Sequence, residues 1–152
     1  MHEIEIQYFT EAFQLAQGEF YIDAIHKFQK LVDEFPESDL ADDALYNIGL
    51  CYYEMNQFQK SIEVLEEMID KYPDATITAL ENGNEFGKTS AKAYYLIVQC
   101  YIGLDNIKKA ESYIPILKQY RNTYVVRDTE KFYFAQLAKD SIETFTKFKK
   151  GE

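Results

Sequence analysis

The chain has 152 residues, a net charge of −10, 47% hydrophobic side chains and 16% aromatic ones. That length suits a single domain, taken as residues 1–152. The acidic balance argues against nucleic acid as a main partner, and no apolar run reaches the roughly 18 residues of a membrane span, so no membrane insertion is expected.

A first helix is predicted over 4–17, where Ile4, Tyr8, Ala12 and Leu15 recur at three- and four-residue steps. Gly18 breaks that pattern. A second helix over 20–35 carries Phe20, Ala24, Phe28, Leu31 and Phe35 as its inner stripe. It stops at Pro36, because the residue before a proline avoids the helical region. Ser38 or Asp39 is placed to cap a third helix that runs to Glu54, with Leu45, Ile48, Gly49 and Tyr52 facing in. A fourth covers 58–72 and stops before Pro73.

Residues 74–87 fit no strong helical or strand pattern, and Asn82-Gly83-Asn84 and Gly87 read as turn signals. Thr89 or Ser90 would cap a fifth helix that points Tyr94, Ile97, Val98 and Tyr101 inward and ends near Gly103. A sixth helix over 106–121 contains Pro115, which should kink it. After a connector at 122–127, a seventh helix over 129–149 places Phe134, Leu137, Ala138, Ile142, Phe145 and Phe148 on one stripe. Short connections within each pair force antiparallel packing.

Two stretches are versions of each other, 37 residues apart. Phe20 to Pro36 is answered by Phe58 to Pro73, with Ala24 matched by Ser61, Phe28 by Leu65 and Ala12 by Gly49. A weaker third version carries Tyr94, Val98, Tyr101, Ala110, Ile114 and Leu117, with Asn122 where a proline is expected. The pattern resembles the tetratricopeptide repeat, a helix-turn-helix unit of about 34 residues. The resemblance implies an all-α, right-handed superhelical solenoid of three helix pairs plus a C-terminal capping helix, about seven helices in all. Its repeats fall at about 5–38, 42–75 and 91–122, with an insertion at about 74–90 and a last helix at about 129–149. The wording Phe35-Pro36-Glu37-Ser38, Ala41 to Tyr46 and Gly49 to Tyr53 looks like a bacterial subgroup that includes the outer-membrane assembly lipoproteins and the periplasmic Tol-Pal coordinator, which hold other proteins.

In that family the first helix of each pair lines a concave binding face. Position by position, the resemblance nominates Phe9 and Phe13; Tyr46, Asn47, Leu50 and Tyr53; and Lys92, Tyr95, Gln99 and Ile102. One branch of the family grips C-terminal carboxylates with lysine and asparagine at these slots. Phe9 and Phe13 stand there instead, which argues against a chaperone co-factor of that type. An aromatic groove suits an apolar or aromatic peptide. It equally suits the chain's own last helix or a second copy, and the last helix is expected to cap the third pair.

Residues 1–87 hold 19 acidic and 4 basic side chains, whereas residues 88–152 hold 7 and 12. This is either an unevenly sampled solvated surface or an acidic face that attracts a basic segment of a partner. Cys51 and Cys100 share one repeat slot, each one residue before an aromatic, which favours packing over redox chemistry.

No catalytic constellation, metal site or cofactor is expected. His2 and His26 stand alone, and His26 reads as an exposed helix residue. Asn82 to Gly87 lacks the lysine-serine pair of a phosphate loop. Asp42-Asp43 and Glu66-Glu67 are adjacent acids that point to different faces and read as solvated. Asp70 and Asp74 lack the spacing of a calcium loop. The start Met1-His2-Glu3-Ile4-Glu5-Ile6 shows no signal peptide, so a cytoplasmic protein is expected, or a periplasmic one if a leader has been trimmed. The sequence therefore reads as a non-catalytic scaffold for a protein or peptide partner, with a self-associating assembly protein, such as a homodimer, as the alternative.

Overall fold

The computed structural model describes residues 2–78, 80 and 83–151. Four helices open the chain: α1 (Glu3–Gln17), α2 (Tyr21–Glu34), α3 (Ala41–Glu54) and α4 (Phe58–Lys71). After the insertion comes α5 (Thr89–Gly103). The turns that follow α1, α3 and α5 each hold one residue in the left-handed region: Glu19 (φ 66), Asn56 (φ 60) and Asp105 (φ 57). These three stand at equivalent repeat positions, so the hairpin geometry repeats along with the side chains. Asparagine and aspartate tolerate this conformation better than most residues.

Small residues set the helix spacing. A Cβ on Gly49 would lie 2.7 Å from Leu65 Cδ2, so only glycine lets α3 approach α4 this closely. The buried Ser61 hydroxyl donates to the Gly49 carbonyl at 2.7 Å across the same contact. Phe28, Leu31, Leu45, Ile48, Ile62, Leu65 and Met68 form one core, which Ala93, Leu96 and Ile97 of α5 extend. Burying each of the larger side chains stabilises the fold by about 1.5–3 kcal/mol. Tyr72, the residue before Pro73, donates its hydroxyl to the Pro36 carbonyl at 2.7 Å, tying the ends of the first two pairs together.

The third pair departs from the expected single kinked helix. It divides into α6 (Ile107–Glu111) and α7 (Ile114–Leu117). Pro115 has no N–H to continue the ladder and stands in the first turn of α7, where that lack costs least. The expected connector and the start of the expected last helix are strands instead. In a three-stranded antiparallel sheet, β1 (Glu85–Phe86) pairs with β2 (Tyr124–Arg127), and β2 pairs with β3 (Glu130–Tyr133). Asp128 (φ 59) turns the β2–β3 hairpin, in which Arg127 faces Glu130. Only then does α8 (Phe134–Lys149) begin, five residues later than the 129 expected.

α8 packs on α5, α6 and α7. It closes a second core of Ala91, Val98, Ala110, Leu117, Ala138 and Ile142. It therefore caps the last pair. Cys51 and Cys100 are both buried free thiols, pushed up to about 11 by burial.

Several stripe and cap assignments shift. Phe20 and Phe148 are exposed (61% and 76%), because each stands at a helix end beyond its packing partners, and Ile4 is exposed as well. Lys88 is the N-cap of α5. Thr89 and Ser90 lie inside the first turn and spend their hydroxyls on Asp42 and on the Pro73 carbonyl. Leu40 is the N-cap of α3, and Ser38 accepts from its N–H at 3.1 Å. His26 is exposed, as expected. The turn signal at Asn82 lies outside the described residues, while the Gly83 N–H bonds the Leu80 carbonyl at 2.8 Å. Among the described residues no helix is long and apolar enough to cross a membrane, and no group of acidic, histidine and cysteine side chains could hold a metal ion.

Candidate functional site: a walled cavity on the first helices of the pairs

The first helices of the pairs are neighbours: α1 touches α3, and α3 touches α5. On their shared side lies an open cavity of about 760 Å³. α1 contributes Ile6, Phe9, Thr10 and Phe13, and α3 contributes Asp43, Tyr46, Asn47 and Leu50. These are the same four positions one repeat apart, and in each helix they run at i, i+3, i+4 and i+7, a single face. Lys92 on α5 occupies the slot of Ile6 and Asp43 in the third repeat and also lines the cavity.

The fourth wall is the insertion. Ile77, Thr78, Leu80, Gly83, Asn84 and Glu85 complete the lining. That segment is held at both ends. Thr76 bridges Lys88, the Ile77 N–H bonds the Gly87 carbonyl at 2.8 Å, and the Thr78 hydroxyl donates to the Asp39 carbonyl at 2.9 Å. β1 ties it to the hairpin, and Gly87 (φ 112) lies so close to Asn122 and Thr123 that a Cβ would meet the Asn122 carbonyl at 2.5 Å.

Six of the ten nominated residues meet at this cavity: Phe9, Phe13, Tyr46, Asn47, Leu50 and Lys92. Their depths differ. Phe13 is exposed, stacked on Phe9 at 6.4 Å, and Phe9 in turn meets core Phe28 edge-on at 5.4 Å. Tyr46 is only 7% exposed, with the Lys92 ammonium 4.1 Å above its ring. Tyr46→Ala would thus open the core beside the cavity, and Phe13 and Leu50 are the cleaner probes. The other four lie elsewhere. Tyr53 packs against Phe58 at 5.5 Å, Tyr95 against Phe134 of α8 at 5.3 Å, and Ile102 joins the second core. Gln99 is half-buried, and its side-chain nitrogen has no partner among the described residues.

The adjacent acids are not solvated: Asp42 and Asp43 are 3% and 7% exposed. Asp42 accepts from the Thr89 hydroxyl, which docks α5 onto α3. Asp43 Oδ1 accepts from the Thr78 N–H at 3.3 Å, while its Oδ2 is buried without a partner among the described residues. Burial pushes both carboxyls well above the ordinary range, and the neighbouring Asp42 charge pushes Asp43 further. Lys92 is committed to Glu85 at 2.8 Å as well as to the Tyr46 ring. The insertion wall left no periodic signal to read. Asp43 did leave one, because it precedes Tyr46, Asn47 and Leu50 at the spacing that continues their face by one turn.

Comparison with known proteins agrees with this architecture. Residues 43–75 and 91–114 each match a tetratricopeptide repeat model. A curated relative, a chloroplastic protein of Arabidopsis thaliana, is 25% identical over 115 residues, which is 76% of this chain and 29% of that protein. Among solved structures, the TPR2AB domain of yeast Sti1 in complex with pHSP90 superposes with a TM-score of 0.69 at 14% identity, covering 96% of this chain and 49% of that one. The Yersinia enterocolitica type III secretion chaperone SycD, in complex with a peptide of the translocator YopD, gives 0.65 at 15% identity over 98% and 97%. The chain thus spans under half of the chloroplastic relative and of the Sti1 chain, and it nearly matches SycD in extent. The fold is an all-α tetratricopeptide-type solenoid, to which the insertion and the β2–β3 hairpin add one small sheet.

Proposed function

We propose that the chain is a non-catalytic scaffold or adaptor that seats an apolar or aromatic peptide segment of a protein partner in the cavity between α1, α3 and the insertion. The observation that carries this reading is the doubled lining, in which two repeats present the same face, rich in Phe9, Phe13, Tyr46 and Leu50, to one open cavity of about 760 Å³. That volume lies within the range of sites enclosing a drug-sized ligand. It therefore takes a few adjoining side chains of an extended segment rather than a whole helix. The complexes named for Sti1 with pHSP90 and for SycD with a peptide of YopD support a protein or peptide segment as the kind of guest. The acidic half of the chain, to which α1 and α3 belong, favours a partner with a basic segment. Kinship with the bacterial envelope adaptors rests on the wording of residues 35–53 alone.

The test is selection from a random linear peptide library displayed on phage, followed by calorimetric titration of the synthesised winners. Phe13→Ala and Leu50→Ala should each weaken those peptides about tenfold, equivalent to about 1.4 kcal/mol. Phe86→Ala, on the sheet, should not. Equal affinity for the parent and both cavity variants would remove the cavity as the site. A second reading, self-association, is favoured by the exposed Phe20, Ile22 and Phe148. A monomer by light scattering at micromolar concentration would dispose of it.

A further inference from the structure

We infer that Asp43 is a recognition residue of this cavity, and that it receives the ammonium or guanidinium group of a lysine or arginine in the seated peptide. The inference rests on the cavity reading above and specifies its guest.

Asp43 stands in the slot that α1 fills with Ile6, so the repeat places an acid where an apolar side chain serves next door. It lines the cavity at 7% exposure. One oxygen is satisfied by the Thr78 N–H of the insertion wall, and the other is buried without a partner among the described residues. A buried polar atom without a partner costs about 1–3 kcal/mol, more when it is charged, so a guest that supplies a donor recovers that free energy on binding. The electrostatics select a charged donor over a neutral one. Asp42 adjoins on the same helix, and Glu85 shares the lining. Lys92, the cation lining the cavity among the described residues, is already committed to Glu85 and Tyr46. A neutral N–H or O–H would fill the geometry but leave Asp43 protonated, as burial holds it in the empty cavity, whereas a cation displaces that proton and pairs with the carboxylate.

The surroundings suit the rest of such a side chain. Lysine and arginine bury their methylene stems along apolar surface while the head finds its partner, and Ile6, Phe9 and Leu80 line the same cavity. Beyond Ile77 and Thr78 lies a separate cavity of about 440 Å³ lined also by Glu37, Asp39, Asp42 and Asp74, so the surface beside the site is acidic as well.

The experiment uses the peptides selected from the phage library on the parent protein. Winners should carry a lysine or arginine next to apolar residues. Replacing that residue by norleucine, which keeps the stem and removes the charge, should weaken binding to the parent at least tenfold. Asp43→Asn preserves the shape and the acceptor for Thr78. It should bind the lysine and norleucine peptides equally, so that the two changes do not add. If lysine and norleucine peptides bind the parent alike, or if the lysine preference survives in Asp43→Asn, the assignment is overturned whatever the stability of the variant. Winners rich in serine or asparagine instead of bases would overturn it in favour of a neutral donor. In both cases peptides that remain sensitive to Phe13→Ala leave the cavity standing as the site. Winners insensitive to Phe13→Ala and Leu50→Ala would remove the site and the Asp43 assignment together.

Discussion

α3 and α5 present the same repeat slots and put them to different uses. On α3, Asp43, Tyr46, Asn47 and Leu50 all line the cavity. On α5, Lys92 does so, but Tyr95 lies against Phe134 and Ile102 belongs to the second core closed by α8. The repeat decides which way a side chain points. Whether it meets a partner is decided by what the chain later lays on top of it. Here α8 covers the third repeat, and the insertion walls the first two without closing them.

The largest expected effect probes the foundation that both helices share. Phe28 is fully buried beneath Phe9, and Phe28→Ala should cost about 3–5 kcal/mol, read as a drop in melting temperature. An unchanged midpoint would sink the repeat register. Phe134→Ala, at 5% exposure, should cost about 3 kcal/mol but in a different place. It uncovers Tyr95, so amide exchange in α8 should quicken while α1 and α2 stay protected. Uniform loss of protection would mean that the two cores are one cooperative unit.

Next in size is Gly49→Ala, which drives a methyl into Leu65. Overpacking by this kind of contact costs about 1–3 kcal/mol, offset by up to about 1 kcal/mol of helix propensity. A stabilised variant would show that α3 and α4 can separate freely.

A pH effect separates the two slots more finely. Because burial raises the folded-state pKa of Asp43, the folded protein holds its proton after the unfolded chain has released it. Stability attributable to this group therefore falls as the pH rises above the ordinary aspartate range near about 4, through the raised value of the folded state. Asp43→Asn should remove that part of the slope, on the order of 1 kcal/mol between mild acid and mild alkali. Parallel stability curves for parent and variant would mean that the carboxyl is hydrated after all. Smallest of all, Phe148→Ser should change stability by less than about 0.5 kcal/mol, since 76% of Phe148 is exposed. A larger loss accompanied by dissociation would instead mark it as a contact between copies.

The helix pairs were legible because their information is local. The 3.6-residue recurrence of Ala24, Phe28 and Leu31, the stops at Pro36 and Pro73, and the small residues Gly49 and Ser61 each act within a few turns of their own position, and each appears in the fold where its period put it. The cavity lining was half legible. Phe9, Phe13, Tyr46, Asn47 and Leu50 follow from helical spacing, and Asp43 follows from the same spacing carried back one turn. An acid there nonetheless reads as solvated until its neighbours are known.

Only tertiary structure could decide the rest. A two-residue strand such as Glu85-Phe86 carries no period of its own. It exists because Tyr124 and Val125, some 40 residues on, supply its hydrogen bonds. The burial of Asp43 depends on Thr78 arriving from the insertion, and the covering of Tyr95 depends on Phe134 arriving from α8. Which residues share a face could be read from the chain alone, because the turn of one helix sets it. Which faces stay open, and which carboxyl is left with an unpartnered oxygen, was decided by contacts between segments far apart in the chain.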